Sequence, residues 1–278
     1  TRILDYGGND AERRATVASL RSLKGSGRRL GQVTVGSADE AAAAEEAGIE
    51  MIICLADTVP EARRGSSRCF LTAAIDFGGE VTPDDLLSTA LGALTAGADA
   101  VITARRLEVV ELLAAEDIPV MGHLGFVPKK STLYGGVRTI GRTAEEATAL
   151  WRSFQALENA GAFGVECELI AADVMREIDA RTGMVTVSLG SGPDADVLFL
   201  FMNDICGESA RRPRHARQYA DIGALHRQIH DTRVDALRRF RADVEDGGFP
   251  GDGEIGRADP DVVASFVAAI DGRRHTAR

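Results

Sequence analysis

The sequence predicts a closed (β/α)8 TIM barrel, and three observations support this. Eight short runs, apolar along most of their length, lie between residues 32 and 201, as suits strands of a parallel sheet buried on both faces. Helical patterns separate most of these runs. The length of 278 residues suits one such barrel, for which roughly 250 residues is typical. An open doubly wound sheet lacks support, because no Gly-x-Gly-x-x-Gly follows the first run.

Taken in order, residues 1–29 hold a short helical pattern at 15–23, before Lys24-Gly25-Ser26-Gly27, and read as a cap over the barrel's bottom. The strand runs are 32–35, 51–54, 70–73, 100–103, 118–121, 164–167, 184–187 and 197–201. Residues 38–47 are Ala/Glu-rich and stop at Gly48, a favourable C-terminal cap. Further helices are predicted at 84–96, stopping at Gly97, and at 107–116. Residues 144–160 begin after Thr143 with Glu146 three residues on, a capping-box pattern. Helices at 171–180 and 223–246 follow the sixth and eighth runs. A Gly/Asp/Pro-rich loop at 247–256 leads to a short final helix at 260–270, with a frayed tail from 271. The whole reads as one domain, 1–278, with 252–278 as a C-terminal extension.

Apolar residues make up 45% and charged residues 27%, enough to build a sizeable core. A net charge of -10 argues against nucleic-acid or anionic-membrane partners, though a local basic pocket can still take an anionic substrate. Cys54, Cys69, Cys167 and Cys206 are scattered without a Cys-x-x-Cys pair, so buried free thiols in a reducing cytoplasm are expected. Residues 1–14 are too polar for a signal peptide, and no apolar run reaches the ~18 residues of a membrane span.

In such barrels the chemistry gathers at the C-terminal ends of the strands. That rule selects Asp57 and Thr58 after the second run, Asp76, Phe77 and Gly78 after the third, and His123 in the fifth. It also selects Glu166 and Glu168 in the sixth and Gly190-Ser191-Gly192 after the seventh. Glu166 and Glu168 share one strand parity, so both face the same way. An inward carboxylate is costly to bury and suits a general base. The Ser191 turn reads either as an anion nest or as a tight turn. Lys129, Lys130, Arg138 and Arg142 read either as a carboxylate or phosphate clamp or as solvated surface.

At this point the residues become specific. Ile118-Pro119-Val120-Met121-Gly122-His123-Leu124-Gly125, then Pro128, Gly135-Gly136 and Gly141-Arg142-Thr143, resemble the signature block of ketopantoate hydroxymethyltransferases. The likeness continues through Leu157-Glu158-Asn159-Ala160-Gly161-Ala162-Phe163, Glu168, Leu189-Gly190-Ser191-Gly192-Pro193-Asp194, Gln218-Tyr219-Ala220-Asp221 and Gly248-Phe249-Pro250-Gly251. It spans roughly residues 15–251 and is weak between 50 and 110. The resemblance implies a barrel of the phosphoenolpyruvate mutase and isocitrate lyase superfamily. It also implies hydroxymethyl transfer from 5,10-methylenetetrahydrofolate to a 2-oxo acid, whose enolate is stabilised by Mg2+. By register it makes Glu168 the base and His123 a substrate contact. A homo-oligomer is implied too.

The departures are equally specific. Gapless register puts Ala56 and Ala74 where the family carries its metal aspartates. Ile102 and Ala104 stand at its lysine and glutamate. Shifted positions would assign metal binding to Asp57 and Asp76, and substrate binding to Thr58, Arg105 and Ser191 beside His123. The substrate is expected to differ from the usual branched oxo acid. The alternatives are changed chemistry on the same barrel (a retro-aldol lyase, a hydrolase or a metal-free isomerase of a specialised biosynthetic pathway) and a non-catalytic relative.

Overall fold

The structure, a computed structural model, describes residues 2–75 and 79–274, and the candidates Asp76, Phe77 and Gly78 lie outside the described residues. The chain divides into two compact units, Thr1–Asp221 and Ile222–Arg278.

The first unit opens with β1 (Ile3–Leu4) and β2 (Asp10–Ala11), a two-residue antiparallel ladder, followed by α1 (Val17–Arg21). The barrel strands are β3 (Leu30–Thr34), β4 (Met51–Leu55), β5 (Phe70–Ala74), β6 (Ala100–Ile102), β7 (Val120–Gly125), β8 (Gly164–Glu168), β9 (Val185–Leu189) and β10 (Val197–Leu200). They are parallel, and β10 pairs with β3 to close the ring. Between them run α2 (Ala38–Glu46), α3 (Val59–Gly65), α4 (Pro83–Thr95), α5 (Leu107–Ala115), α6 (Ala144–Asn159) and α7 (Ala172–Asp179), with α8 (Met202–Cys206) after β10.

Three elements differ from the sequence reading. The fifth run begins two residues later and extends to Gly125, because Gly122 and Gly125 mask a strand pattern that the ladder to β8 sustains. A short helix, α3, stands where none is predicted; Pro60 starts it, and buried Val59 and Ala62 hold it against the barrel. After β10 comes the five-residue α8, and the predicted helix at 223–246 instead belongs to the second unit. Thr143 caps α6 as expected, but Glu146 reaches back to the amides of Gly141 and Arg142 rather than to that of Thr143.

Alternation along each strand separates two cores. Outward residues such as Ile52, Leu71, Val101, Val120 and Val165 pack under the helices. Inward residues such as Met51, Phe70, Ala100, Met121 and Val185 fill the barrel's lower half together with Ala15, Leu20 and Leu23 from the N-terminal segment. Residues 1–29 therefore contribute a plug, and Lys24 ties it to the barrel through Asp179 at 2.6 Å and Asp196 at 2.7 Å. Leu20 is fully buried. We expect Leu20→Ala to cost about 2–5 kcal/mol, read as a lower urea midpoint at unchanged slope.

The second unit holds α9 (Ile222–Asp246) and α10 (Pro260–Arg274). Within it, the rings of Phe240 and Phe249 meet edge to face with centroids 5.3 Å apart. No helix among the described residues is long and apolar enough to cross a membrane.

Candidate active site

A cavity of about 640 Å3 opens at the C-terminal mouth of the barrel. The strand registers explain its lining. Each neighbour is displaced by one residue around the ring, so inward side chains stack in layers of four from alternate strands. Leu55, Ala104, Glu168 and Phe201 form the mouth, above Thr34, Ala74, His123 and Leu189, above Ile53, Ile102, Glu166 and Phe199. The polar centre is thus carried by two adjacent strands, β7 and β8.

His123 is held between two carboxylates. Its Nε2 lies 3.1 Å from Glu168 Oε2 and 3.1 Å from the carbonyl oxygen of Phe126; its Nδ1 lies 3.8 Å from Glu166 Oε1. Burial alone would lower the imidazole's pKa. The hydrogen bond to Glu168 and the charges of both glutamates outweigh burial and raise it. Glu166 is buried, and burial with the nearby Glu168 charge pushes its carboxyl up to about 7 against the pull of His123.

The local backbone makes this arrangement possible. Gly125 has φ +90°, and a Cβ there would sit 2.2 Å from the carbonyl oxygen of Glu168. The turn at Gly125 lets the Phe126 amide donate to that same carbonyl at 2.7 Å. Leu169, directly after Glu168, is held at φ 51°, a left-handed conformation that costs a branched residue about 1–2 kcal/mol. We expect Gly125→Ala to displace the end of β8, lowering Tm and lengthening the 3.1 Å contact between Glu168 and His123 together. A variant that kept wild-type Tm would contradict the close approach.

Other sequence candidates lie elsewhere. Asp57 sits in the short turn Ala56–Thr58, exposed, accepting a hydrogen bond from the Thr58 hydroxyl at 3.1 Å, and neither residue lines the cavity. Arg105 donates to the carbonyl oxygens of Glu80 and Val81 and is likewise outside the lining. The Ser191 hydroxyl is wholly buried, donating to the Cys167 carbonyl at 2.6 Å and accepting from the Ile170 amide at 2.8 Å. It braces β8 and offers no group to the cavity. Of the four basic candidates after the fifth run, Lys129 lines the cavity rim, while Arg138 pairs with Glu146. The aromatic side of the site, Phe199 and Phe201 with centroids 5.2 Å apart, was not among the sequence candidates. Its signal was strand parity, which puts both rings inward.

The family model for ketopantoate hydroxymethyltransferase matches residues 55–252. The chain belongs to the ketopantoate hydroxymethyltransferase family. A 3-methyl-2-oxobutanoate hydroxymethyltransferase of Pyrobaculum islandicum is 35% identical over 191 residues, covering 67% of this chain and 70% of its own length. The enzyme of that name from Thermus thermophilus is 32% identical over 265 residues, covering 86% and 98%. Among solved structures, a phosphoenolpyruvate phosphomutase from Streptomyces platensis superposes with TM-score 0.50 at 13% identity, covering 94% of this chain and 98% of its own. The carboxyl transferase domain of Rhizobium etli pyruvate carboxylase gives 0.52 at 12% identity, covering 73% and 46%. These two likenesses show the shared barrel. The chain is therefore a transferase of the hydroxymethyltransferase type.

Of the expected metal pair, Asp57 is exposed and outside the cavity lining and Asp76 lies outside the described residues, while Ala74, at one of the family's aspartate positions by gapless register, faces the cavity. The donor atoms that do converge are those of His123, Glu166 and Glu168, all within 4.8 Å of one another.

Proposed function

We propose that this chain adds the methylene carbon of 5,10-methylenetetrahydrofolate to the carbon next to a carbonyl, one water supplying the hydroxyl of the new hydroxymethyl group and tetrahydrofolate leaving, with Glu168 as the base that creates the nucleophile. The observation that carries the reading is the Glu168 carboxylate, 3.1 Å from His123 Nε2, facing an apolar cavity on the family's register. The hydrogen bond to His123 orients one carboxylate oxygen, leaving the other for a C–H beside a carbonyl. The raised imidazole pKa keeps positive charge beside the carbonyl oxygen as negative charge grows there. The buried Ile102, Leu189 and Phe199 around it limit water, which strengthens both interactions. The proton transfer so described needs only protein groups. The substrate is a small molecule that the cavity can enclose.

The test is a product assay. Protein is incubated with 5,10-methylenetetrahydrofolate and a panel of ketones and 2-oxo acids, and tetrahydrofolate and hydroxymethylated product are quantified together. We expect equal amounts of both. A panel in which formaldehyde is instead released from β-hydroxy carbonyl compounds without folate would move the reading to a retro-aldol lyase. The rewritten positions Ala74, Ile102 and Ala104 keep that second reading in view.

A further inference from the structure

The cavity wall speaks against a free 2-oxo acid as the substrate. An anionic acceptor needs a cation or a convergent set of donors for its carboxylate, because burying an unpaired charge is prohibitive. The positions that the family register would give to such groups carry Ala74, Ile102 and Ala104, and all three face the cavity. The charged side chains among its described lining are Glu40, Glu166 and Glu168 against Lys129 at the rim, with the charge of His123 offset by the two glutamates beside it. Glu40 is turned onto the Gly36 amide at 2.6 Å and adds no donor. A carboxylate placed within reach of Glu168 would thus lie beside like charge. The rest of the wall is mainly aliphatic and aromatic, with Thr34 and Asn203 as its uncharged hydrogen-bonding side chains, and the cavity's volume of about 640 Å3 falls within the roughly 300–1,000 Å3 of pockets that enclose drug-sized ligands.

We propose that the acceptor is an uncharged carbonyl compound bearing an extended apolar or aromatic chain. Its carbonyl lies against His123 with its α-carbon against Glu168, and its chain runs along Ile102, Leu189, Phe199 and Phe201. The carbonyl oxygen takes its hydrogen bond from His123 Nδ1, which at 3.8 Å from Glu166 Oε1 is not hydrogen-bonded to it, so no second charge is required. This rests on the proton-abstraction reading for its orientation, but the preference for a neutral ligand stands on the wall alone.

The test uses a matched pair that differs only in the carboxylate: 4-phenylbutan-2-one and 4-phenyl-2-oxobutanoate. Affinity for each is measured by calorimetry, and α-hydrogen exchange in D2O is followed by proton NMR on wild type and Glu168→Gln. We expect the ketone to bind about tenfold more tightly or better, since like charge and lost hydration both oppose the acid. Ile102→Lys is expected to shift the preference toward the acid. Ala104→Lys, nearer the mouth, serves the same purpose where a buried lysine at 102 prevents folding. Equal or tighter binding of the acid, or no binding of either compound, overturns the proposal. Ketone binding without exchange leaves the neutral-ligand inference standing and removes the proton-abstraction reading. Glu168-dependent exchange on the acid, with the ketone unbound, does the reverse.

Discussion

Glu168→Gln slows deuterium incorporation at the α-carbon of a bound carbonyl compound by about 10²–10⁴-fold, the range that a positioned general base contributes. The argument starts from the isostere. Glutamine keeps an oxygen for the hydrogen bond from His123 Nε2, so the 3.1 Å contact survives and the ring stays where β7 places it. What is lost is the basic oxygen. Affinity for a neutral ligand should remain near the wild-type value, which separates catalysis from positioning. The backbone around residue 168 is unchanged too, because the Phe126 amide binds its carbonyl rather than its side chain. Tm should therefore move little. Exchange within about threefold of wild type would sink the assignment of Glu168 as base. Loss of exchange together with loss of binding would make it a positioning residue instead.

The barrel was legible in the sequence because parallel strands buried on both faces leave nearly continuous apolar runs. All eight runs overlap barrel strands, from β3 to β10. The centre of the site was legible for a related reason. His123, Glu166 and Glu168 are polar residues at inward parity near strand ends, where only a satisfied or useful group is tolerated. Asp57 illustrates the limit. It is one residue past a strand end, and the helical turn at Ala56–Thr58 swings it out to solvent, a rotation that no spacing rule reports. Ser191 shows another limit: its hydroxyl satisfies two backbone groups of its own barrel, Cys167 and Ile170, which are distant in sequence. The apolar half of the site went unread because Phe199 and Leu189 have the same composition as ordinary core. Only the closed register shows that they face a cavity rather than a packed layer.

Glu166→Gln should make the protein more stable at alkaline pH while impairing its chemistry. In the folded chain the Glu166 carboxyl titrates at about 7, against 4.5 ordinarily, because burial disfavours its charge and the Glu168 charge adds to this. A carboxyl with a raised pKa binds its proton more tightly in the folded state, so folding is favoured at low pH, and that advantage is lost as pH rises from about 4.5 through about 7. His123 acts in the same direction: its pKa is raised, so its contribution is complete below the ordinary imidazole value and fades as pH climbs through the folded one. Both groups therefore predict a native state that weakens as pH rises, Glu166 acting from about 4.5 through about 7 and His123 above its ordinary value. Glutamine removes the buried charge but keeps the volume. At pH 8.5 we expect Glu166→Gln to exceed wild type by on the order of 2 kcal/mol, less than the full Glu166 shift implies because His123 loses one of its two acidic neighbours. For a unit of this size that is a rise in Tm of roughly 4–8 °C. At pH 5, where Glu166 is largely protonated in the fold, the two proteins should converge. Chemical denaturation at both pH values decides the matter. A variant less stable than wild type at pH 8.5 would mean that the ionised Glu166 is held by attraction strong enough to repay its burial, and the pH dependence would then have to reverse in sign. The expected result has a functional consequence. A buried acid retained at a cost to stability beside the base is the pattern of a working site, where charge is kept for the reaction rather than for the fold.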